Sequence, residues 1–171
     1  MLTLATCTLR PFRAGDEDAL VASANDPEVA RNLRDAFPHP YTRADADGWI
    51  AYAGGTGPGA PHHRAILIGE VLAGAVGVTP QGDFRRRSVE IGYWLGRSFW
   101  GRGIATDALR GMTDHVFATM DVCRIFAPVF ESNPASARVL EKAGYVLEAR
   151  LSKAVTKHGV TMDELHYARV R

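Results

Sequence analysis

Cysteine is nearly absent from this 171-residue chain: Cys7 and Cys123 are the only two, far apart and each within an apolar run. Two such thiols make no disulfide scaffold and read as small buried hydrophobes. An excess of one charge is also missing. Twenty Lys and Arg against 19 Asp and Glu leave a net charge of +1, too little for a global field that would hold nucleic acid or an anionic membrane. The run Arg85-Arg86-Arg87 is short and reads as a solvated strand entrance. No apolar stretch approaches the roughly 20 residues that cross a bilayer, and the opening segment lacks the basic lead-in of a signal peptide. Metal-ligand spacing is lacking too. His39, His62, His63, His115, His158 and His166 form no i, i+4 helical pair and have no cysteine at ligand spacing. Adjacent His62 and His63 point to opposite faces of a strand and read as surface or edge residues. The expected setting is a reducing cytoplasm, with no metal, membrane or nucleic acid.

What is present is ordinary globular material, 46% apolar and 23% charged, enough for one domain over residues 1–171 with a sizeable core. Thr6 to Phe12 alternates and closes on Pro11, as a first strand does. Asp16-Glu17-Asp18 puts acids on the first turn of a helix that ends near Asn25. Pro27 suits the first position of a second helix running to about Leu33, and Thr42 caps a third through Ile50. Gly54 to Pro61 holds four glycines and two prolines and reads as a flexible link. Arg64–Ile68 and Val71–Thr79, separated by Gly69-Glu70, form a hairpin signal. Arg87–Leu95 alternates as a fourth strand. After Gly103 the period becomes helical, with Ile104, Ala105, Ala108, Leu109, Met112, Val116 and Met120 on one face. Val122–Phe130 is a nearly continuous apolar run, as in a central strand covered on both faces. Asn133-Pro134 opens a helix that Gly144 ends, and strands over about Tyr145–Val155 and Val160–Val170 close the chain. The pattern is α/β (α+β): one mixed sheet of about seven strands flanked by helices.

The chemistry concentrates at Trp100-Gly101-Arg102-Gly103-Ile104-Ala105-Thr106. Glycines between a buried strand and an amphipathic helix leave successive N–H groups free at a helix start, a nest for phosphate oxygens aided by Arg102. The same glycines would also serve a plain tight turn. Nucleotide loops fit poorly. Gly96 and Gly101 have Walker spacing, but Arg102 and Gly103 stand where Lys and Ser/Thr must follow, and a dinucleotide fingerprint would need a further glycine or alanine.

The segment instead resembles the acetyl-CoA-binding loop of the GNAT superfamily of N-acetyltransferases, Gln/Arg-x-x-Gly-x-Gly/Ala. It matches at Gly103 and Ala105 and departs at Trp100. Leu9-Arg10-Pro11-Phe12, Phe37-Pro38-His39-Pro40-Tyr41-Thr42, Glu90-Ile91-Gly92-Tyr93-Trp94-Leu95 and the long run from Asn133 to Tyr145 extend the resemblance over most of the chain. Together with Gly159, Asp163 and Tyr167, they resemble the RimJ/RimL-like ribosomal-protein N-terminal acetyltransferases in particular. The resemblance implies a mostly antiparallel sheet and acetyl-CoA as co-substrate. Backbone groups at Trp94 and Leu95 would pair with the pantetheine arm, amides from Arg102 through Thr106 (including Gly103, Ile104 and Ala105) would hold the pyrophosphate, and Asn133 would hydrogen-bond the pantetheine. Asn133 suits a helix N-cap equally well. Ser136 would sit near the thioester sulfur.

The reaction implied is direct attack of a neutral amine on a thioester. An α-amine titrates at about 8 and a lysine at about 10.4, so a proton must leave. Glu90 is the expected base: it is a carboxylate inside a strand otherwise apolar or aromatic, at a position where the branch carries a glutamate. A paired structural glutamate is the competing reading. Many GNAT enzymes place a tyrosine acid seven residues after the motif asparagine. Here that residue is Leu140, which leaves Ser136 or water as the donor. The expected acceptor is a primary amine, above all a protein or peptide N-terminus, and the enzyme a monomer or homodimer. A small-molecule amine (amino acid, polyamine, aminoglycoside) and an inactive acyl-CoA-binding module are the alternatives.

Overall fold

Two short antiparallel strands, β1 (Leu2–Thr3) and β2 (Thr8–Arg10), open the chain. The first expected strand is therefore shorter than Thr6–Phe12. A strand as brief as β1 carries no readable alternation, which is why the sequence indicates about seven strands where the sheet has eight. In the computed structural model, which describes residues 1–57 and 59–171, the remaining elements are α1 (Glu17–Ala24), α2 (Pro27–Ala30), α3 (Arg43–Ala53), β3 (His62–Ile68), β4 (Val71–Pro80), β5 (Ser88–Leu95), α4 (Ile104–Thr119), β6 (Arg124–Phe130), α5 (Pro134–Lys142), β7 (Val146–Lys157) and β8 (Val160–Val170). The link expected at Gly54–Pro61 includes Pro58, which lies outside the described residues.

Local chemistry sets the helix starts. Arg10 on β2 grips Asp16 just before α1 through a 2.6 Å ion pair, with both side chains largely buried, so the strand fixes where the helix begins. Thr42 and Asp45 form a reciprocal capping box at α3, satisfying amide groups that the first turn leaves unpaired. That helix runs past Ile50 to Ala53, whereas α2 stops at Ala30, short of Leu33.

The sheet order is β1-β2-β3-β4-β5-β6-β8-β7. Every neighbouring pair is antiparallel except β5 and β6, which run parallel only over Ser88↔Arg124, Val89↔Ile125 and Glu90↔Phe126. Beyond that short ladder they part. Each stays paired on its other edge, β5 with β4 up to Leu95 and β6 with β8 up to Phe130, so the sheet opens in its middle without losing either strand.

Two cores cover opposite faces. On one, Val76, Val89, Ile91 and Ile125 pack with Leu109, Met112 and Val116 of α4 and Leu140 of α5. On the other, Ala65 and Leu67 pack with Leu20 and Ala24 of α1 and with Tyr41 and Ala46. The expectation that β6 is covered on both faces is corrected here. Ile125, Ala127 and Val129 are buried, but Phe126, Pro128 and Phe130 are only half-buried, because α1 and α3 sit over β3 and β4 and do not reach β6.

Candidate active site

The parting of β5 and β6 creates a cleft of about 1240 Å³. It extends from the turn before α4, along the separated strand edges, to a mouth between the α2–α3 segment and the end of β7. At its inner end Gly101 and Gly103 have φ of 72° and 77°, a region costly for any residue with a Cβ. Gly103 is the left-handed N-cap of α4, and the first intrahelical bond runs from Asp107 N–H to its carbonyl at 3.1 Å. The amides of Ile104, Ala105 and Thr106 thus have no helical partner, and these residues line the cleft together with Arg102 and Gly103. Nothing lies within 4 Å of where a Cβ of Gly101 or Gly103 would be. Converging amides, a helix dipole and Arg102 around vacant space are what a pyrophosphate requires.

Trp100, the residue that departs from the loop motif, donates its indole N–H to the Leu95 carbonyl at 2.8 Å and ties the turn to the end of β5. The strand edge offers a correction. The Trp94 carbonyl oxygen is turned toward Gly74 of β4, where a Cβ would approach it to 2.1 Å, and Gly96 N–H bonds the Ala73 carbonyl at 2.8 Å. In antiparallel alternation the backbone groups left facing the opening are the N–H and carbonyl of Tyr93 and the N–H of Leu95, whose carbonyl Trp100 takes, not those of Trp94.

Glu90 stands at the vertex where the strands separate, half-buried, with an oxygen held by the Arg34 guanidinium. Adjacent Asp35 accepts from Lys157 of β7 at 2.7 Å, so the α2–α3 segment is pinned to both sides of the mouth. Asn133 Oδ1 accepts from Ser136 N–H at 3.1 Å, the N-cap geometry. Its amide nitrogen has no partner among the described residues, so the cap leaves a donor for a ligand. Ser136 Oγ lies 2.8 Å from the Tyr93 hydroxyl. Burial raises the Tyr93 pKa above the ordinary phenol value, which keeps its proton in place. Leu140 is fully buried, one turn along α5 from Ser136. Tyr145 is core, its hydroxyl 2.7 Å from Thr113 Oγ1.

Sequence reasoning missed Arg34 and the pairing of Tyr93 with Ser136. A phenol on the buried face of a strand needs a hydrogen-bond partner, which was a usable signal for Tyr93. Arg34 had none, since it lies in an irregular segment. His63 is also corrected: it is mostly buried, and burial lowers its pKa to about 4. Among the described residues no group of three His, Cys, Asp or Glu is placed to hold a metal ion, and no helix is long and apolar enough to cross a membrane.

Asn133→Ser separates the two uses of Asn133. Serine caps nearly as well, whereas Asn133→Ala should lose about 1 kcal/mol of stability. If the amide also holds pantetheine, both variants should bind acetyl-CoA more weakly while only the alanine variant melts earlier. An unchanged dissociation constant for Asn133→Ser would leave Asn133 as a cap alone.

Comparison with known proteins gives a consistent result. Residues 7–146 match the family described as acetyltransferase (GNAT) domain. The uncharacterized N-acetyltransferase p20 of Bacillus licheniformis is 29% identical over 160 residues, covering 91% of this chain and 88% of the relative. The probable N-acetyltransferase YjcK of Bacillus subtilis (strain 168) is 42% identical over 73 residues, but the match spans only 43% of this chain and 40% of that protein. The ribosomal-protein-serine acetyltransferase of Escherichia coli (strain K12) is 32% identical over 84 residues, 49% of this chain and 47% of the relative. In fold, the chain is similar to RimL, the ribosomal L7/L12 alpha-N-protein acetyltransferase solved with coenzyme A (TM-score 0.83, 22% identity, covering 97% of this chain and 94% of that one). It is also similar to the spermidine N-acetyltransferase of Vibrio cholerae solved with CoA and spermine (TM-score 0.81, 19% identity, covering 97% and 96%).

Proposed function

The chain belongs to the acetyltransferase (GNAT) domain family, and from that premise we propose that it acetylates the α-amine of a protein or peptide N-terminus in the cytoplasm. It is an acetyl-CoA-dependent N-acetyltransferase, of the RimJ/RimL-like branch. Acetyl-CoA supplies the acetyl group as a thioester; the chain's residues bind, orient and move protons. The amides of Arg102 through Thr106 hold the pyrophosphate, the parted edge of β5 and Asn133 hold the pantetheine, and the same edge offers N–H groups to the developing oxyanion. Glu90 takes the proton from the acceptor ammonium, directly or through water. Ser136, with its hydroxyl set by Tyr93, donates to the departing sulfur.

One observation carries the choice of acceptor. The cleft, about 1240 Å³ for acetyl-CoA and acceptor together, continues unbroken from the glycine turn to an open mouth between the α2–α3 segment and the end of β7. That leaves room for a chain that enters by its end. The ribosomal-protein-serine relative supports the same class of acceptor. A polyamine would need several unpaired acids, but at this mouth Glu90 is paired with Arg34 and Asp35 with Lys157. The test is an acceptor screen read by mass spectrometry, with peptides, free lysine, polyamines and aminoglycosides in parallel. Peptide α-amines should be acetylated with kcat/KM at least about tenfold above the small amines, a difference of about 1.4 kcal/mol in transition-state stabilisation. Preference for spermidine or an aminoglycoside would overturn the reading, and acetyl-CoA binding without thiol release for any amine would indicate an inactive module.

A further inference from the structure

Gly92 sits in the middle of β5, a central strand of the sheet, yet it is exposed. It lines the cleft, and a Cβ built on it would meet nothing within 4 Å. Glycine inside a strand weakens it and often marks a place where another group approaches closely. The neighbours show what surrounds the vacancy. Glu90 and Trp94 flank Gly92 on the same face of β5. Phe37 packs edge-on against Trp94 at 5.5 Å between centroids. Across the ladder Gly92 pairs with Gly77 and Gly77 with His63. The His63 imidazole lies over Gly77, filling the space its Cβ would take, with Nδ1 only 2.1 Å from that point. Trp49 backs His63 at 4.7 Å, and Tyr52 completes the group. Trp49 Nε1 and His63 Nε2 are both turned into the protein without partners among the described residues, so the part of the indole still open to the cleft is carbon. With its pKa near 4, His63 brings no positive charge beside an incoming ammonium at neutral pH.

We propose that the residue bearing the acceptor amine lays its side chain on Gly92, in a pit walled by Phe37, Trp94, Trp49 and His63, so that the enzyme selects amines with a bulky apolar group next to the nitrogen. Glu90 at the rim faces the amine while the pit takes the side chain, which makes Gly92 a specificity-determining residue. This deepens the N-terminal reading and rests on it: the first residue of the acceptor is leucine- or phenylalanine-like, not glycine or serine.

The test uses peptides identical except for Gly, Ser, Leu or Phe at the first position, with rates compared on the concentration of neutral amine. Burying such a side chain should raise kcat/KM of the Phe and Leu peptides about 10- to 100-fold over the Gly peptide. Gly92→Val places a branched side chain in the pit at an ordinary strand position and should collapse that ratio toward one. Gly92→Ala, the milder variant, should reduce it partway, and thermal stabilisation by acetyl-CoA checks that both fold. A flat wild-type series, or an equal loss for Phe and Gly peptides in Gly92→Val, would overturn the proposal. The pair 2-phenylethylamine and ethylamine separates it from the reading beneath it. If peptides are refused while phenylethylamine is preferred and Gly92→Val abolishes the preference, the pit stands and the N-terminal acceptor falls. If peptides are acetylated without regard to their first residue, the acceptor class stands and the pit falls.

Discussion

Glu90→Gln is expected to lower turnover by about 10²–10⁴-fold, the usual worth of a general base, while acetyl-CoA affinity stays within a few-fold of wild type. Glutamine keeps the shape and one hydrogen-bond acceptor for Arg34 but can neither carry charge nor take a proton. Glu90 lies at the strand vertex, on the face opposite the packed side of α4 and α5, and Arg34 occupies one carboxylate oxygen. The other oxygen is available to an ammonium or to a relaying water. The defect should shrink as pH rises toward and past the acceptor's own pKa of about 8 for an α-amine, because more acceptor arrives already neutral. Equal activity of Glu90→Gln and wild type from pH 6 to 9 would reduce Glu90 to the partner of Arg34, a structural pair across the mouth. Arg34→Gln is the companion variant. If its effect disappears in the Glu90→Gln background, the two act as a unit.

Acidification should cost this fold stability chiefly through His63, with a smaller share from His115, whose pKa burial also lowers. His63 titrates at about 4 in the folded chain, lowered mainly by burial and further by neighbouring His62, against about 6.5 when unfolded. Between those values the unfolded state binds the extra proton, so stability is full above about pH 6.5 and falls as pH drops toward 4. The loss over the whole window is at most about 3.5 kcal/mol, taking about 1.4 kcal/mol per pKa unit. His63→Phe keeps an aromatic ring against Trp49 and Tyr52 and removes the titration. Its melting temperature should fall much less than that of wild type between pH 7 and pH 4.5, even if it starts lower. His62→Gln, at an exposed position, should retain most of the wild-type slope. Parallel pH profiles for wild type and His63→Phe would show that the imidazole is not the group responsible.

The amino-acid order alone determined the helices and most strands, because they depend on near neighbours. Thr42 with Asp45, Asn133 before Pro134 and the 3.6-residue period after Gly103 each act within one or two turns of chain. The glycine turn before α4 was legible for the same reason: it is a local object, and Gly103 does adopt the left-handed conformation that only glycine takes cheaply. The alternation of Glu90, Gly92 and Trp94 against Ile91, Tyr93 and Leu95 likewise fixed which side chains share a face. What only the tertiary structure decided is everything that depends on how separate segments meet. The short ladder of β5 and β6 opens the cleft, and its extent follows from the competing claims of β4 and β8 on the two strands, which no local pattern records. Arg34 reaches Glu90 across 56 positions of chain, and Tyr93 reaches Ser136 across 43. The orientation of the Trp94 carbonyl depends on the close approach of Gly74, and the burial of His63 on the room left by Gly77. These are contacts between distant segments, set by packing and sheet register. A sequence pattern specifies which residues face the same way but not what stands opposite them.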